Sequence, residues 1–253
     1  MNSIASKEIG NINEFLTNKR RQSEIIQFAK KNQIIVVKNF ISSSLIKQYI
    51  NYFSSLAKTS LPNYQAIKKN APNFHRLNDN DKRAYVHGAF HQFVFFPWNQ
   101  DVFGLFDKFN DIFKIKNILS ENPPSSYMDD NNDCTIRIAF QFYPSGKGFL
   151  KKHIDPFDFH QKYVGTLIMS KKGVDFTDGG LYIDSDNGKL SYVEELFSPG
   201  DVIFFSTQLA HGVKKVDPHK KFNNWLDNDG RWMGLFATNK FQSSTKISDS
   251  LEL

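Results

Sequence analysis

The sequence holds one cysteine, Cys134, among 253 residues. That excludes an internal disulfide and fits a reducing compartment, so a cytoplasmic location is expected. No run of about 18 apolar residues occurs, and no membrane-spanning helix is expected. The first thirty residues are polar and charged, without the apolar core of a signal peptide. Internal repeats and low-complexity segments are absent. A basic track is missing too. The formal charge is +6, but the lysines fall in scattered pairs: Lys68-Lys69, Lys151-Lys152, Lys171-Lys172, Lys214-Lys215 and Lys220-Lys221. Such pairs read as solvated surface and draw no phosphate-binding stripe, so no nucleic-acid partner is expected. Lys151-Lys152 is the pair best placed to attract an anionic substrate, for reasons that follow.

What is present suits one globular unit spanning residues 1–253. Hydrophobic residues make up 40 % of the chain and include 25 Phe, enough for a substantial core. Residues 1–19 read as a loosely held arm, and 20–133 as helical support with a substrate-side segment. Within that support, Ser23 is expected to cap a helix reaching Lys31, and IIVV at 34–37 to form a buried strand. Ser42 or Ser43 then caps a helix to about Lys58, with Leu45, Ile46, Tyr49, Ile50, Phe53 and Leu56 as its apolar stripe. Residues 60–98 are broken by Pro62, Pro72 and Pro97 and place His75, Arg76, His87 and His91 among aromatics. A long irregular segment of this kind predicts a lid or substrate-contacting loop. A further amphipathic helix runs from Asn99 or Asp101 to about Leu119, and a polar loop covers 120–133. Residues 134–239 carry at least seven short strand-like runs separated by Gly, Asp, Asn and Pro, the pattern of a β-sandwich or barrel. The fold class is therefore mainly β with α support. Residues 240–253 read as a fraying tail.

The chemistry concentrates between Thr135 and Asp155. Ile136, Ile138, Phe140 and Phe142 fall on one face of a strand, and Thr135, Arg137, Ala139, Gln141 and Tyr143 on the other. After the turn at Pro144–Gly146 come His153 and Asp155, two residues apart and so on one side of an extended backbone. A histidine and a carboxylate there are two thirds of a facial metal triad. His211, after the strand DVIFFS, is the third candidate; His160 and His219 compete with it. Holding a metal from the Lys-rich loop around His219 would cost ordering entropy. Two imidazoles and one carboxylate suit Fe(II) and leave three adjacent positions, two for a chelating co-substrate and one for dioxygen. Arg231 opens the last strand. Pointing into a barrel, it needs an anionic partner: a dicarboxylate co-substrate, or Asp227 or Asp229. Tyr143, Arg137 and Gln141 share one strand face and serve co-substrate, substrate or the barrel's own hydrogen bonding.

Taken in order, Tyr143, Gly146, His153-Ile154-Asp155, Gly179-Gly180-Leu181, Pro199-Gly200-Asp201, His211-Gly212-Val213 and Gly230-Arg231 resemble the iron(II)- and 2-oxoglutarate-dependent dioxygenases. The likeness is strongest to the prolyl 4-hydroxylase-like branch and covers about residues 135–238. It implies a double-stranded β-helix, a jelly-roll barrel of the cupin kind, flanked by the N-terminal helices. It implies His153, Asp155 and His211 as metal ligands, Arg231 as the partner of the distal 2-oxoglutarate carboxylate, and Tyr143 as its helper. Arg137 and Gln141 are further cofactor-side candidates. The implied cofactors are Fe(II), 2-oxoglutarate and O2, with ascorbate as a stimulating reductant. The implied reaction is hydroxylation of an unactivated C–H bond with release of succinate and CO2. Asp155 argues against halogenation, because halogenating relatives carry a small residue there. Two features depart from the pattern: Arg231 lies farther past His211 than is usual, so the intervening loop is an insertion, and the prolyl hydroxylase branch often has lysine at the anchor. Three readings stand: a hydroxylase or desaturase of a small molecule such as an amino acid, sugar or natural-product intermediate, favoured by the aromatic wall at 84–98; a hydroxylase of protein or peptide side chains; and a non-catalytic ligand-binding barrel.

Overall fold

A computed structural model describes residues 4–65, 67–128, 133–184, 190–241 and 251–253. The IIVV segment forms β2 (Ile34–Val37), buried throughout because β-branched residues pack well on a pleated surface. Its neighbours are β1 (Ser6–Glu8), parallel, and β10 (Val202–Ser206), antiparallel. The expected loose arm is therefore tied down by β1 and by α1 (Ile12–Thr17). The next helix, α2 (Lys19–Ala29), starts earlier than the Ser23 expectation: the Asn18 side chain accepts from the Arg21 amide and caps it. In α3 (Ser43–Thr59) the expected cap is in place, with Ser42 Oγ accepting from the Leu45 amide.

The segment expected to be irregular is instead a β-ladder. β3 (Phe74–Asp79) pairs with β4 (Gly88–Phe95), and β4 pairs with β5 (Cys134–Pro144). The barrel thus begins well before residue 134. Asp101 accepts from the Leu105 and Phe106 amides and starts α4 (Leu105–Lys108), which leads into α5 (Asn110–Leu119). The remaining strands are β6 (Phe149–Ile154), β7 (Tyr163–Ile168), β8 (Gly180–Asp184), β9 (Leu190–Tyr192), β11 (Ala210–Lys214) and β12 (Gly230–Lys240). Part of the expected fraying tail, residues 242–250, lies outside the described residues; beyond it β13 (Leu251–Glu252) returns to pair with β6.

One curled sheet holds these strands in the order β1-β2-β10-β7-β12-β5-β4-β6-β11-β8-β9, with β3 on β4 and β13 on β6. The two faces of β5 explain its placement. Ile136, Ile138, Phe140 and Phe142 belong to the core that the helices cover, where Phe53 stacks on Phe140 at 4.4 Å between ring centroids. The opposite face, with Arg137, Gln141 and Tyr143, looks into a cavity. Burying a phenylalanine such as Phe53 is worth roughly 1.5–3 kcal/mol, so this dense aromatic layer fixes β5 against the helices and leaves its polar face for the site. Among the described residues no helix is long and apolar enough to cross a membrane.

Candidate metal centre

Strand pairing makes the centre. β11 and β6 run antiparallel with His211 opposite His153, so the two imidazoles are cross-strand neighbours, 4.2 Å between ring centroids. Asp155 lies just past β6, and its amide donates to the Thr207 carbonyl at 3.0 Å. Its carboxylate oxygens stand 3.6 Å from His153 Nε2 and 3.6 Å from His211 Nε2. One ligand atom from each of the three residues fits within 4.8 Å of the others, the spacing of a metal's coordination shell.

Backbone carbonyls set the imidazole tautomers. His153 Nδ1 donates to the Lys151 carbonyl at 2.9 Å, and His211 Nδ1 to the Leu209 carbonyl at 2.9 Å. Each Nε2 is left with its lone pair facing the carboxylate, which is how metal-binding histidines are oriented by outer partners. Burial, then the neighbouring His153, pushes His211 down to about 4 against the opposing pull of Asp155. It is thus neutral, the form that ligates a metal. His160 and His219 are not members of this group; His160 lies 3.6 Å from Asp158, and His219 is exposed.

The cavity beside the triad measures about 140 Å³. Tyr143, Gln141 and Arg137 line it, as their shared strand face predicts. Tyr143 is fully buried and donates to Gln141 Oε1 at 2.8 Å; burial drives its phenol above the usual range. Arg231 is also fully buried but does not itself line the cavity; its guanidinium carbon lies 5.4 Å from the centre of the Tyr143 ring. Neither Asp227 nor Asp229 pairs with it. Arg231 Nε donates instead to Glu194 Oε1, while Nη1 and Nη2 are buried without a partner. Glu194 is a site residue that sequence reasoning missed; it sits on the short 3-10 turn Val193–Glu195, with no local signal marking it. Arg76, Asn78, Gln92 and Thr166 add further polar groups to the lining, with Tyr64 and Tyr85 beside them. Two other expectations shift. His75 and His91 face away from the cavity as a hydrogen-bonded pair, Nε2 to Nδ1 at 2.8 Å, and His87 is held by Glu252. Lys151 pairs with Glu252 and Lys152 with Asp184, so neither is a free cation at the mouth.

No protein-family model and no curated protein matches the sequence. Solved structures do match the fold. A Pseudomonas putida prolyl-4-hydroxylase aligns with 86 % of this chain and 96 % of its own at TM-score 0.53 and 12 % identity. A Trichoplax adhaerens prolyl hydroxylase, solved with a peptide fragment of hypoxia inducible factor, aligns with 90 % of this chain and 92 % of its own at TM-score 0.51 and 14 % identity. A full-length Neurospora crassa protein, solved in complex with alpha-KG and thymine, aligns with 98 % of this chain and 93 % of its own at TM-score 0.52 and 12 % identity. The fold is thus the double-stranded β-helix of the 2-oxoglutarate oxygenases. At this level of identity the likeness speaks for architecture alone.

Proposed function

We propose that this chain is an Fe(II)- and 2-oxoglutarate-dependent oxygenase that hydroxylates an unactivated C–H bond of a small molecule. The observation that carries the reading is the convergence of His153, Asp155 and His211, with both Nε2 lone pairs turned toward one carboxylate. Two imidazoles and one carboxylate on one face are the donor set that suits non-haem Fe(II) and leaves positions open. A 2-oxoglutarate anchor is also at hand. The partnerless buried Arg231 nitrogens lie off the cavity wall, with the guanidinium carbon 5.4 Å from the centre of the Tyr143 ring that does line it, so a dicarboxylate whose distal end reaches past Tyr143 satisfies both in a fork.

In this reading His153, Asp155 and His211 hold the iron, Arg231 orients the co-substrate, and Tyr143 offers a phenol toward it. When bound, Fe(II) and 2-oxoglutarate supply the oxidising power: one atom of O2 enters succinate as CO2 leaves, and the other enters the substrate C–H bond. The protein's own work is to fix the tautomers of the two histidines, keep bulk water from the buried triad and place the substrate. A cavity of about 140 Å³ favours a small molecule over a peptide laid along a groove.

The test is succinate release from 2-oxoglutarate under Fe(II) and O2, together with metal stoichiometry. Asp155→Ala should lose both stable iron binding and succinate formation. Succinate that persists in that variant would remove Asp155 from the centre, and wild-type protein that neither binds Fe(II) nor makes succinate would end the proposal.

A further inference from the structure

The cavity holds two arginines that the oxygenase reading leaves unused. Arg76 projects from β3 and Arg137 from β5, and both line the cavity together with Asp155. Strand register places them on its inward face. Arg76 is opposite Gln92, and Gln92 is opposite Gln141, on the same face of β5 as Arg137. Each arginine is only 8 % exposed. In each, Nε is buried with no hydrogen-bond partner. Neither belongs to an ion pair among the described residues. Among the described residues Arg76 donates to the Gln65 carbonyl and lies over the faces of Tyr64 and Phe74, and Asp81 favours its charge without forming an ion pair with it.

A buried cation without a counter-charge is costly, and two near each other are costlier. Arg137 shows the strain: burial first, then the Arg76 charge, bring it down to about 10, with Asp155 opposing. Asp155 is the sole carboxylate among the described lining residues, and it faces the two imidazoles. Asp155 favours the Arg137 charge but is committed to the two imidazoles, and Asp81 favours the Arg76 charge but is paired with Arg83. No carboxylate among the described residues forms an ion pair with either guanidinium, so a full counter-charge has to come from outside.

Resting on the oxygenase reading, we propose that the prime substrate is a small carboxylic acid whose carboxylate is gripped by Arg76 and Arg137. Both present planar N–H forks suited to bidentate carboxylate binding. The acid is distinct from the co-substrate. Arg231 pairs with Tyr143 across the β12–β5 ladder, six residues along β5 from Arg137 and so roughly 20 Å of strand away. The two ends of the site therefore take separate anions. Charge balance favours a single carboxylate. A divalent ion with Asp155 and doubly charged 2-oxoglutarate is one negative charge in excess. Arg231 and Glu194 cancel, and Arg76 with Arg137 leaves one positive charge for the substrate to neutralise.

Two measurements decide the matter. In the first, Arg137→Met is melted without ligand. An arginine that serves the fold would lower the melting temperature on removal, whereas one kept for a ligand should give a rise of about 2–6 °C, because an uncompensated buried charge is lost. A fall overturns the proposal. In the second, protein loaded with Mn(II) and 2-oxoglutarate is titrated with acetate, butyrate and benzoate, with their carboxamides, and with inorganic phosphate. Broadening of the probe's NMR lines by Mn(II) reports proximity to the triad. The acids should broaden far more than the amides, and Arg76→Gln with Arg137→Gln should weaken acid binding by about tenfold or more. Should the double variant fail to fold, Arg137→Gln alone makes the comparison. Equal broadening by acids and amides, no broadening, unchanged acid binding in the variant, or preference for phosphate each overturns the proposal. Calorimetric binding of 2-oxoglutarate to the Mn(II) protein stands apart. Its failure would sink the co-substrate reading, while the acid titration on Mn(II) alone still judges the two arginines.

Discussion

Removing the Glu194 carboxylate strands a guanidinium. Arg231 is wholly buried; its Nε donates to Glu194 Oε1, and its other two nitrogens have no partner. Glu194 Oε2 also accepts from the Leu181 amide at 3.1 Å. Glu194→Ala therefore leaves a buried cation unpaired and a strand amide unsatisfied. Breaking a buried ion pair from one side costs about 3–5 kcal/mol. In a chain of this size a kilocalorie moves the melting temperature by about 2–4 °C, so a fall of roughly 6–20 °C is expected. Replacing both partners, as Glu194→Leu with Arg231→Met, should recover most of the loss, because no charge is then buried alone. Urea titration and thermal melts of the single and double variants measure both. A loss below about 1 kcal/mol for Glu194→Ala would refute the claim that this pair is desolvated. The co-substrate provides a second reading. If 2-oxoglutarate docks on Arg231, then Mn(II) with 2-oxoglutarate should stabilise Glu194→Ala more than wild type, since the ligand supplies the missing negative charge. Equal stabilisation of the two proteins would separate Arg231 from the co-substrate.

Two further outcomes follow from the geometry. His91 Nε2 donates to the Trp225 carbonyl, so its Nδ1 accepts from His75 Nε2, and a second proton on His91 breaks that bond. Burial, then the His75 charge, brings His91 down to about 4 from an ordinary 6.5. The unfolded chain thus takes up the proton first: stability is whole above about pH 6.5 and falls as pH drops toward 4, by about 3 kcal/mol in all. Urea midpoints at pH 7 and pH 4.5 should differ more in wild type than in His91→Gln, where buried His211 still contributes its own share; an equal difference in the two proteins would show that this site does not titrate. At Gly230, φ is +149° and an added Cβ would lie 2.3 Å from the Tyr143 carbonyl oxygen. Gly230→Ala should cost about 2–3 kcal/mol by pushing the start of β12 off β5, and a urea midpoint equal to wild type would contradict that contact.

The parts of this fold that were legible in the sequence are those where a local period met a buried face. β5 alternates oily and polar residues, and the structure puts the first set under the helices and the second in the cavity. Strand β2 and the Ser42-capped α3 were likewise readable from a few adjacent residues. The β3–β4 ladder was hidden because both of its faces are used. Phe90, Gln92 and Val94 turn one way and His91, Phe93 and Phe95 the other, so polar and aromatic residues mix on each, and the flanking prolines suggest a break. The signal that could have found it was the alternation of Arg76 and Asn78 with His75 and Leu77. Glu194 had no signal at all. Its partner is 37 residues away, and only the closed sheet brings the two charges together.

The segment between His211 and Arg231 is long, and the structure shows why its length need not move Arg231. Both ends of the loop are pinned to one turn. At the near end the Gly146 amide donates to the Val216 carbonyl, and the next residue, Asp217, is buried. Burial alone would raise the Asp217 carboxyl, but the Thr177 hydroxyl and amide, the Asp178 amide and the Ser145 hydroxyl outweigh it and hold the group well below its usual range. At the far end the Ser145 amide donates to the Asp229 carbonyl, and Gly230 pairs with Pro144. Lys220 bridges the ends through Asp217 and Asp229, and the Trp225 carbonyl ties the middle to His91. Doubling a loop whose ends are fixed costs only about 0.6 kcal/mol in closure entropy. The register of β12 on β5, set by eleven paired residues, then decides where Arg231 stands: opposite Tyr143 whatever the length of chain that precedes it.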